Sequence, residues 1–195
     1  CTNQDISQLL EQLAYLPQMQ NIHLTDPVGD AETMNALRST YPNVKITSEM
    51  VGVVVSEDGK EVDLSGIQLE TIEDVDKYMP FYPDAERVYL GMPEIDNDTI
   101  AAFRDTKRQD YKVVWTVMCG AIPVRTDETF FQPIQHHVYY FFDEDIYNLR
   151  YCEDMICIDV GHKPVTNCEW AAFMPNLKYL ILADTAVTDL TPLTG

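Results

Sequence analysis

Two stretches near the C-terminus decide the fold: Met155-Ile-Cys-Ile158-Asp-Val160 and Leu177-Lys-Tyr-Leu180-Ile-Leu182. They lie 22 residues apart and share the pattern L-x-x-L-x-L, which predicts a short strand whose alternate residues point into one core. The same offset relates three further pairs of apolar or small residues: Val165 and Val187, Cys168 and Leu190, and Ala171 and Leu193. A period of 22 is typical of leucine-rich repeats, in which each unit is one strand followed by a helical or irregular return.

A looser repeat precedes these units. Met19-Gln-Asn-Ile22-His-Leu24 and Ala85-Glu-Arg-Val88-Tyr-Leu90 lie 66 residues apart and both resemble strands. Each leads into a predicted amphipathic helix, with Asp30 as the N-cap of the first and Asp96 or Asn97 as that of the second. Further strands are predicted at 44–46 and 50–55 and, matching them, at 113–117 and 122–124. We therefore predict two modules of about 70 residues, 13–82 and 83–150.

These patterns together predict an α/β leucine-rich-repeat-like solenoid that is irregular over residues 1–148 and regular over 149–195. An opening helix capped by Asp5, with an apolar stripe on one face, is expected to cover one end of the solenoid. The regular pattern stops in mid-unit at Thr194-Gly195, so we expect the repeats to be truncated there.

A resemblance to a known class of proteins is carried by four blocks, at 149–155, 158–162, 180–184 and 187–193. These blocks resemble large leucine-rich-repeat proteins of gut-dwelling anaerobic bacteria, and the last two are also similar to the 22-residue repeats of the internalin type. The resemblance implies a secreted or cell-surface location and a binding role for the concave strand surface. It supplies no catalytic residues.

The chain departs from the repeat pattern after the strand, where the family has asparagine. Lys163 and Thr185 occupy that position here. Lysine cannot accept a hydrogen bond, so it cannot replace the double role of asparagine. We expect these turns to be less regular and more open.

Composition restricts the partners. The chain has 13 Lys and Arg against 32 Asp and Glu, a formal net charge of −19. This charge argues against nucleic-acid binding, which needs a basic surface, and against electrostatic docking on anionic membranes. No run of 18 apolar residues occurs, so no transmembrane segment is predicted. The 46% of hydrophobic residues argues against disorder.

The five cysteines do not form a disulfide framework, because their number is odd. Cys1 is a candidate lipid-attachment residue, because lipid attachment at a processed N-terminus leaves a chain that begins with cysteine. The alternative is that the given sequence simply begins there. Cys152, Cys157, His162 and Cys168 have the residue types of a zinc site, but the strand pattern places them on opposite faces. We therefore predict no metal and no cofactor.

Three other groups of residues carry side chains that could bind a ligand or a metal. His136 and His137 are predicted on a strand, where neighbours point to opposite faces and chelate poorly. The aromatic run 138–142 beside them is either an exposed binding ledge or partly buried core. The acidic clusters at 96–98 and 143–145 lack the spaced ligands of a calcium loop and are predicted to begin helices, with Asp143 as a cap. No nucleophile or phosphate-binding motif occurs, so we predict that the chain is not an enzyme.

The remaining candidate is the strand face. Residues between the inward leucines point outward, and those with interface-forming side chains are His23, Asp63, Arg87, Tyr89, Asp159, Tyr179 and Ile181. We predict that this face binds a protein or a glycan. The alternatives are a structural spacer within a larger bacterial surface protein and, third, an enzyme with an unrecognised site. The face could equally be only solvated, or covered by the additional strands.

Overall fold

The structure, a computed structural model, describes residues 5–194. It has a mixed α/β fold of short strands in small sheets with helices between them. The chain divides into two compact units, Cys1–Val113 and Val114–Gly195, called unit 1 and unit 2 below. This division concerns compactness, whereas the predicted boundary at 148/149 concerns repeat regularity and stays a prediction.

In the described part of unit 1, three α-helices occur, and each has an aspartate as its N-cap. The elements in order are α1 (Ile6–Leu13), β1 (Asn21–Thr25), α2 (Ala31–Thr40), β2 (Lys45–Glu49), β3 (Val54–Val55), β4 (Glu61–Asp63), the 3₁₀ helices Ile72–Lys77 and Met79–Phe81, β5 (Arg87–Tyr89), α3 (Asn97–Lys107) and β6 (Lys112–Val114), whose last residue is the first of unit 2. The carboxylates of Asp5, Asp30 and Asp96 accept hydrogen bonds from backbone N–H groups of the first helical turns, at 2.8–3.0 Å. The predicted N-caps are therefore confirmed.

The strand–helix–strand order of unit 1 occurs twice, as β1–α2–β2 and β5–α3–β6, at the predicted spacing. β1 pairs in parallel with β2, with Asn21 opposite Lys45. A second sheet has the order β3-β4-β5-β6, in which β4 is antiparallel to β3 and parallel to β5. The strands turn Leu24, Val62 and Val88 into the core, where all three are fully buried.

Unit 2 contains the stretches on which the fold prediction rests. Its elements are β7 (Thr116–Cys119), β8 (Ile122–Arg125), β9 (Phe130–Phe131), a 3₁₀ helix Pro133–His136, α4 (Asp143–Ile146) continuing into a 3₁₀ helix Tyr147–Tyr151, β10 (Cys157–Asp159), a 3₁₀ helix Glu169–Phe173, β11 (Tyr179–Ile181) and a 3₁₀ helix Thr191–Leu193. β10 lies between β9 and β11 and is parallel to both. Ile158 is opposite Leu180, so the observed register has the 22-residue offset that the sequence predicts.

The core of unit 2 is built from the inward strand positions and the return segments. Ile158 and Val160 are fully buried, as is Trp115. Cys152 and Cys168 are also fully buried, and their thiols face the carbonyl oxygens of other segments at 3.8 and 3.3 Å. These two cysteines pack as small apolar side chains, as the pattern predicts.

Two local predictions in unit 2 are wrong. The N-cap of α4 is Phe142, whose N–H donates to the carboxylate of Asp145 at 2.8 Å. The carboxylate of Asp143 instead accepts from the N–H and hydroxyl of Thr166 at 3.0 and 2.5 Å, because a distant loop brings these donors to it. His136 and His137 are not on a strand: a 3₁₀ helix begins at Pro133, and His137 has a left-handed backbone (φ 58°) that ends it.

Candidate functional site

The seven predicted binding residues occupy strand positions on the outward side of three small sheets. His23 lies on the β1–β2 sheet, Asp63, Arg87 and Tyr89 on the β3–β6 sheet, and Asp159, Tyr179 and Ile181 on the β9–β11 sheet. Each is at least partly exposed, while its inward neighbour on the strand is less exposed. The predicted alternation is therefore confirmed. The structure brings the residues together within each sheet, in three separate groups.

His23 lies in a polar chain across β1 and β2. Its Nδ1 is 3.0 Å from the hydroxyl of Thr47, and its Nε2 is 3.5 Å from the carboxylate of Glu49. A hydroxyl, an imidazole and a carboxylate are the groups of a hydrolytic triad. Such a triad works in a site that excludes water and carries donors for an oxyanion, whereas the side chains of His23 and Glu49 are both more than half exposed. The arrangement is best described as a cross-strand polar contact.

The β4–β5 face is occupied by contacts within the fold. Arg87 lies opposite Glu61, with its Nε 3.3 Å from the carboxylate. Asp63 lies opposite Tyr89, and its carboxylate accepts a hydrogen bond from the N–H of Ser65 at 2.8 Å. The two charged groups that the sequence nominates here therefore already have partners inside the protein.

The β9–β11 face carries the largest exposed apolar side chains of the three groups. One row across the sheet is Phe130, Cys157 and Tyr179, which are neighbours in the strand register. Since adjacent strands lie about 4.8 Å apart, the two aromatic residues are about 10 Å apart. Phe130 is 41% exposed and Tyr179 is 63% exposed.

A second row lies on the same face, two residues further along each of the three segments. The carboxylate of Asp159 accepts hydrogen bonds from Gln132 Nε2 at 2.7 Å and from the N–H of Gly161 at 3.0 Å. Ile181, opposite Asp159, is 43% exposed. The two rows, Phe130, Cys157 and Tyr179 with Gln132, Asp159 and Ile181, are called the β9–β11 platform below. Chemically, the platform offers apolar surface around a carboxylate that is held in place.

Sequence reasoning missed Phe130 and Gln132. Phe130 lies on β9, which is only two residues long and lacks the L-x-x-L-x-L pattern, and Gln132 directly follows that strand. The available signal was alternation: buried Phe131 stands between two outward residues. The 27-residue offset between Phe130 and Cys157 also differs from the 22 of the regular units, so the repeat alignment did not extend to it.

The turn after β10 is anchored by a buried lysine. Lys163 is 5% exposed, and its ammonium donates hydrogen bonds to the carbonyl oxygens of Val138 at 2.6 Å and Tyr139 at 3.3 Å. The expected opening of this turn is wrong, because the side chain reaches inward and satisfies the carbonyls of a neighbouring segment. The next turn has the same conformation: His162 and Asp184 both have left-handed backbones and contact each other at 3.0 Å.

The aromatic run 138–142 combines the two alternatives left open by the sequence. Phe141 is fully buried, with its ring centroid 5.5 Å from that of Phe131. Tyr139 and Tyr140 are largely exposed. The segment is thus fixed by Phe141 and by the bonds from Lys163, and it presents two tyrosines to solvent.

The remaining candidates are the residues considered for zinc binding and for lipid attachment. Within residues 5–194, no three His, Cys, Asp or Glu side chains are placed to hold a metal ion. Cys157 lies on the outward face and is half-buried, apart from the core thiols of Cys152 and Cys168. Burial raises the pKa of the Cys119 thiol well above its usual value. Cys1 lies outside the described residues.

Comparisons of the chain with protein-family profiles, with curated protein sequences and with solved structures find no match. In the part of the chain that the structure describes, every helix is too short or too polar to cross a bilayer.

Proposed function

We propose that this chain is a non-catalytic binding module that recognises a protein or a glycan through the outward strand face of a leucine-rich-repeat-like solenoid. Support for the repeat architecture comes from the parallel strand pairs. Their residues pair at offsets of 24 for β1–β2, 26 for β4–β5, 27 for β9–β10 and 22 for β10–β11. Parallel neighbours separated by one short return segment are typical of stacked repeats.

The observation that carries the binding proposal is the β9–β11 platform. Exposed Phe130, Tyr179 and Ile181 stand on a sheet whose other side is packed into the core. Aromatic side chains on a rigid element contribute most of the energy at binding surfaces, because they bury a large area and lose little conformational entropy. Each oxygen of the Asp159 carboxylate already accepts one hydrogen bond inside the fold and retains a second lone pair, which can accept from a peptide N–H or from a sugar hydroxyl.

The test is binding of the labelled chain to protein and glycan arrays, followed by titration of the ligands with Tyr179→Ala. Truncation of this exposed aromatic residue is expected to weaken binding by at least about 1 kcal/mol, roughly fivefold or more in Kd. The matched control is Tyr15→Ala, since Tyr15 is an exposed tyrosine of unit 1. If Tyr179→Ala and Tyr15→Ala bind with the same Kd as the unmodified chain, the platform does not form the binding site.

A structural spacer is the second candidate. It is favoured by the β4–β5 face, where the opposite charges of Arg87 and Glu61 pair with each other across the two strands. A location at the bacterial cell surface, with or without a lipid at Cys1, rests on the resemblance of the repeats. Fractionation of the source cell with an antibody to the chain tests it, because a purely cytoplasmic signal contradicts a surface role.

A further inference from the structure

Unit 1 contains a pocket of about 700 Å³ that is built from helices and turns and not from the strand faces. Its walls come from α2, from the 3₁₀ helices Ile72–Lys77 and Met79–Phe81, and from the turn after α3. Because α2 packs against Met79–Phe81 and α3 packs against Ile72–Lys77, these walls are held in place by the fold. A pocket of this volume accommodates a small molecule.

Arg38 brings a cationic group with an unused donor to the pocket wall. Its Nη1 donates a hydrogen bond to the carbonyl oxygen of Pro80, whereas its Nη2 is shielded from solvent and has no acceptor among residues 5–194. Arg38 also forms no ion pair with any carboxylate in that range. Burial lowers the pKa of the guanidinium, and the charge of Asp84 opposes this only in part. Since a shielded cationic donor without an acceptor is unfavourable, a negatively charged acceptor at this position is favoured.

The other charged groups of the pocket do not compete for the same ligand. The Nζ of Lys107 lies 2.6 and 2.8 Å from the two carboxylate oxygens of Asp76, so these two charges cancel within the wall. The hydroxyl of Tyr111 donates to the same carboxylate at 3.1 Å. Asp110 is exposed, where water and salt screen its charge. Arg38 is therefore the charged lining residue that is neither paired nor in open solvent.

Apolar side chains form much of the remaining lining. Met79, Tyr82 and Ala85 are buried and line the pocket together with Pro83. A ligand that fits this combination has an apolar body and one negative charge, because the wall offers apolar area and one cation without a counter-charge. A phosphate fits less well, since its second charge has no unpaired cation to face.

We infer that this pocket binds a small organic acid, with the carboxylate of the ligand on the guanidinium of Arg38 and its apolar part against Met79 and Tyr82. A carboxylate is the acceptor for which the planar guanidinium is best suited. Since Nη2 is shielded here, binding requires the guanidinium to turn towards the pocket. The inference does not rest on the binding proposal, because the pocket residues belong to unit 1 and the platform residues to unit 2.

The test is titration of the chain with the sodium salts of acetate, hexanoate, benzoate, 3-phenylpropanoate and indole-3-acetate, followed by NMR. At least one acid with an apolar body is expected to bind with a Kd of about 1 mM or lower, and acetate at least about tenfold more weakly. The alcohol that corresponds to the best acid should also bind at least about tenfold more weakly, because it lacks the charge. On binding, the Nε–H signal of Arg38 should shift, whereas that of Arg108, which pairs with Asp105, should not.

Two variants locate the carboxylate. Arg38→Met keeps the apolar stem but removes the guanidinium, and it should weaken binding of the best acid by at least about tenfold. The matched control is Arg108→Met, which should leave the Kd unchanged, since Arg108 is exposed and does not line the pocket. Asn35→Trp fills the pocket from the exposed side of α2 and leaves Arg38 and its bond to Pro80 in place. It should weaken binding to a similar extent, and it decides the question if Arg38→Met loses the circular dichroism of the folded chain.

Four results would overturn the inference. The first is that no acid of the series binds at concentrations up to about 10 mM. The second is that the alcohol binds as tightly as its acid, because the pocket is then only apolar. The third is that folded Arg38→Met or folded Asn35→Trp binds the acid with the Kd of the unmodified chain. The fourth is that inorganic phosphate binds more tightly than every carboxylate, because the site then selects charge without an apolar body.

Discussion

Replacing the buried Lys163 by methionine tests the anchoring of the turn after β10. Methionine has nearly the same length and fills the same space, but it has no donor for the carbonyl oxygens of Val138 and Tyr139. We expect Lys163→Met to destabilise unit 2 and to loosen the segment 138–140. Phe141 should keep its buried position, because its packing against Phe131 does not depend on the lysine.

The magnitude follows from opposing contributions. A hydrogen bond from a charged donor is worth about 1.5–3 kcal/mol, and Lys163 makes two such bonds at 5% exposure, where solvent screening is weak. Against this stands the cost of taking the ammonium out of water, which the substitution removes. We expect a net loss of about 2 kcal/mol in the free energy of unfolding, a large part of the stability of a small domain.

Urea unfolding followed by tryptophan fluorescence measures this loss, because Trp115 and Trp170 are both buried in unit 2. The midpoint should fall with an unchanged m-value. Lys178→Met is the matched control, since Lys178 is exposed and should change stability by less than about 0.5 kcal/mol. If the two substitutions have equal effects, the hydrogen bonds of Lys163 do not hold the turn.

Three further predictions concern other parts of the chain. Gly91→Ala should cost more stability than Gly59→Ala, by at least about 1 kcal/mol in urea unfolding, because both have positive φ but only at Gly91 does a Cβ meet another residue, Ser65, at 2.7 Å. Equal losses would contradict the close stacking of the turns after β4 and β5. Hydrogen bonds from Lys77 and from backbone N–H groups lower the pKa of Asp74 from 3.8 to about 2. Since the folded pKa lies below the unfolded one, this stabilisation is present above pH 4 and is lost as the pH falls towards 2; a pKa near 3.8 by NMR titration would contradict it. Cys157 should react with Ellman's reagent in the folded protein, whereas Cys119, which is fully buried and has a raised pKa, should react only after unfolding.

Alternate residues of β11 have different surroundings. Tyr179 and Ile181 point outward from the sheet and are exposed, whereas Leu180 lies on the inward side and is partly exposed. Under the binding proposal, changes at Tyr179 should therefore weaken ligand binding with little effect on stability. Changes at Leu180 should lower stability first.

The sequence by itself determined the features that depend on residues close together in the chain. The 22-residue offset of 155–160 and 177–182 reappears as the register of β10 and β11, because alternation and period are local properties of a strand. The caps at Asp5, Asp30 and Asp96 follow for the same reason, since an N-cap bonds only to the first turn of its own helix.

Only the tertiary structure decided the features that join distant residues. The carboxylate of Asp143 bonds to Thr166 instead of capping its helix, and Lys163 donates to carbonyls about 25 residues earlier in the chain. Phe130 enters the candidate site because β9 lies beside β10, although its own strand carries no repeat pattern. Each of these contacts depends on which distant segment of the chain packs against the polar group or the strand edge. Local periodicity carries no information about that choice.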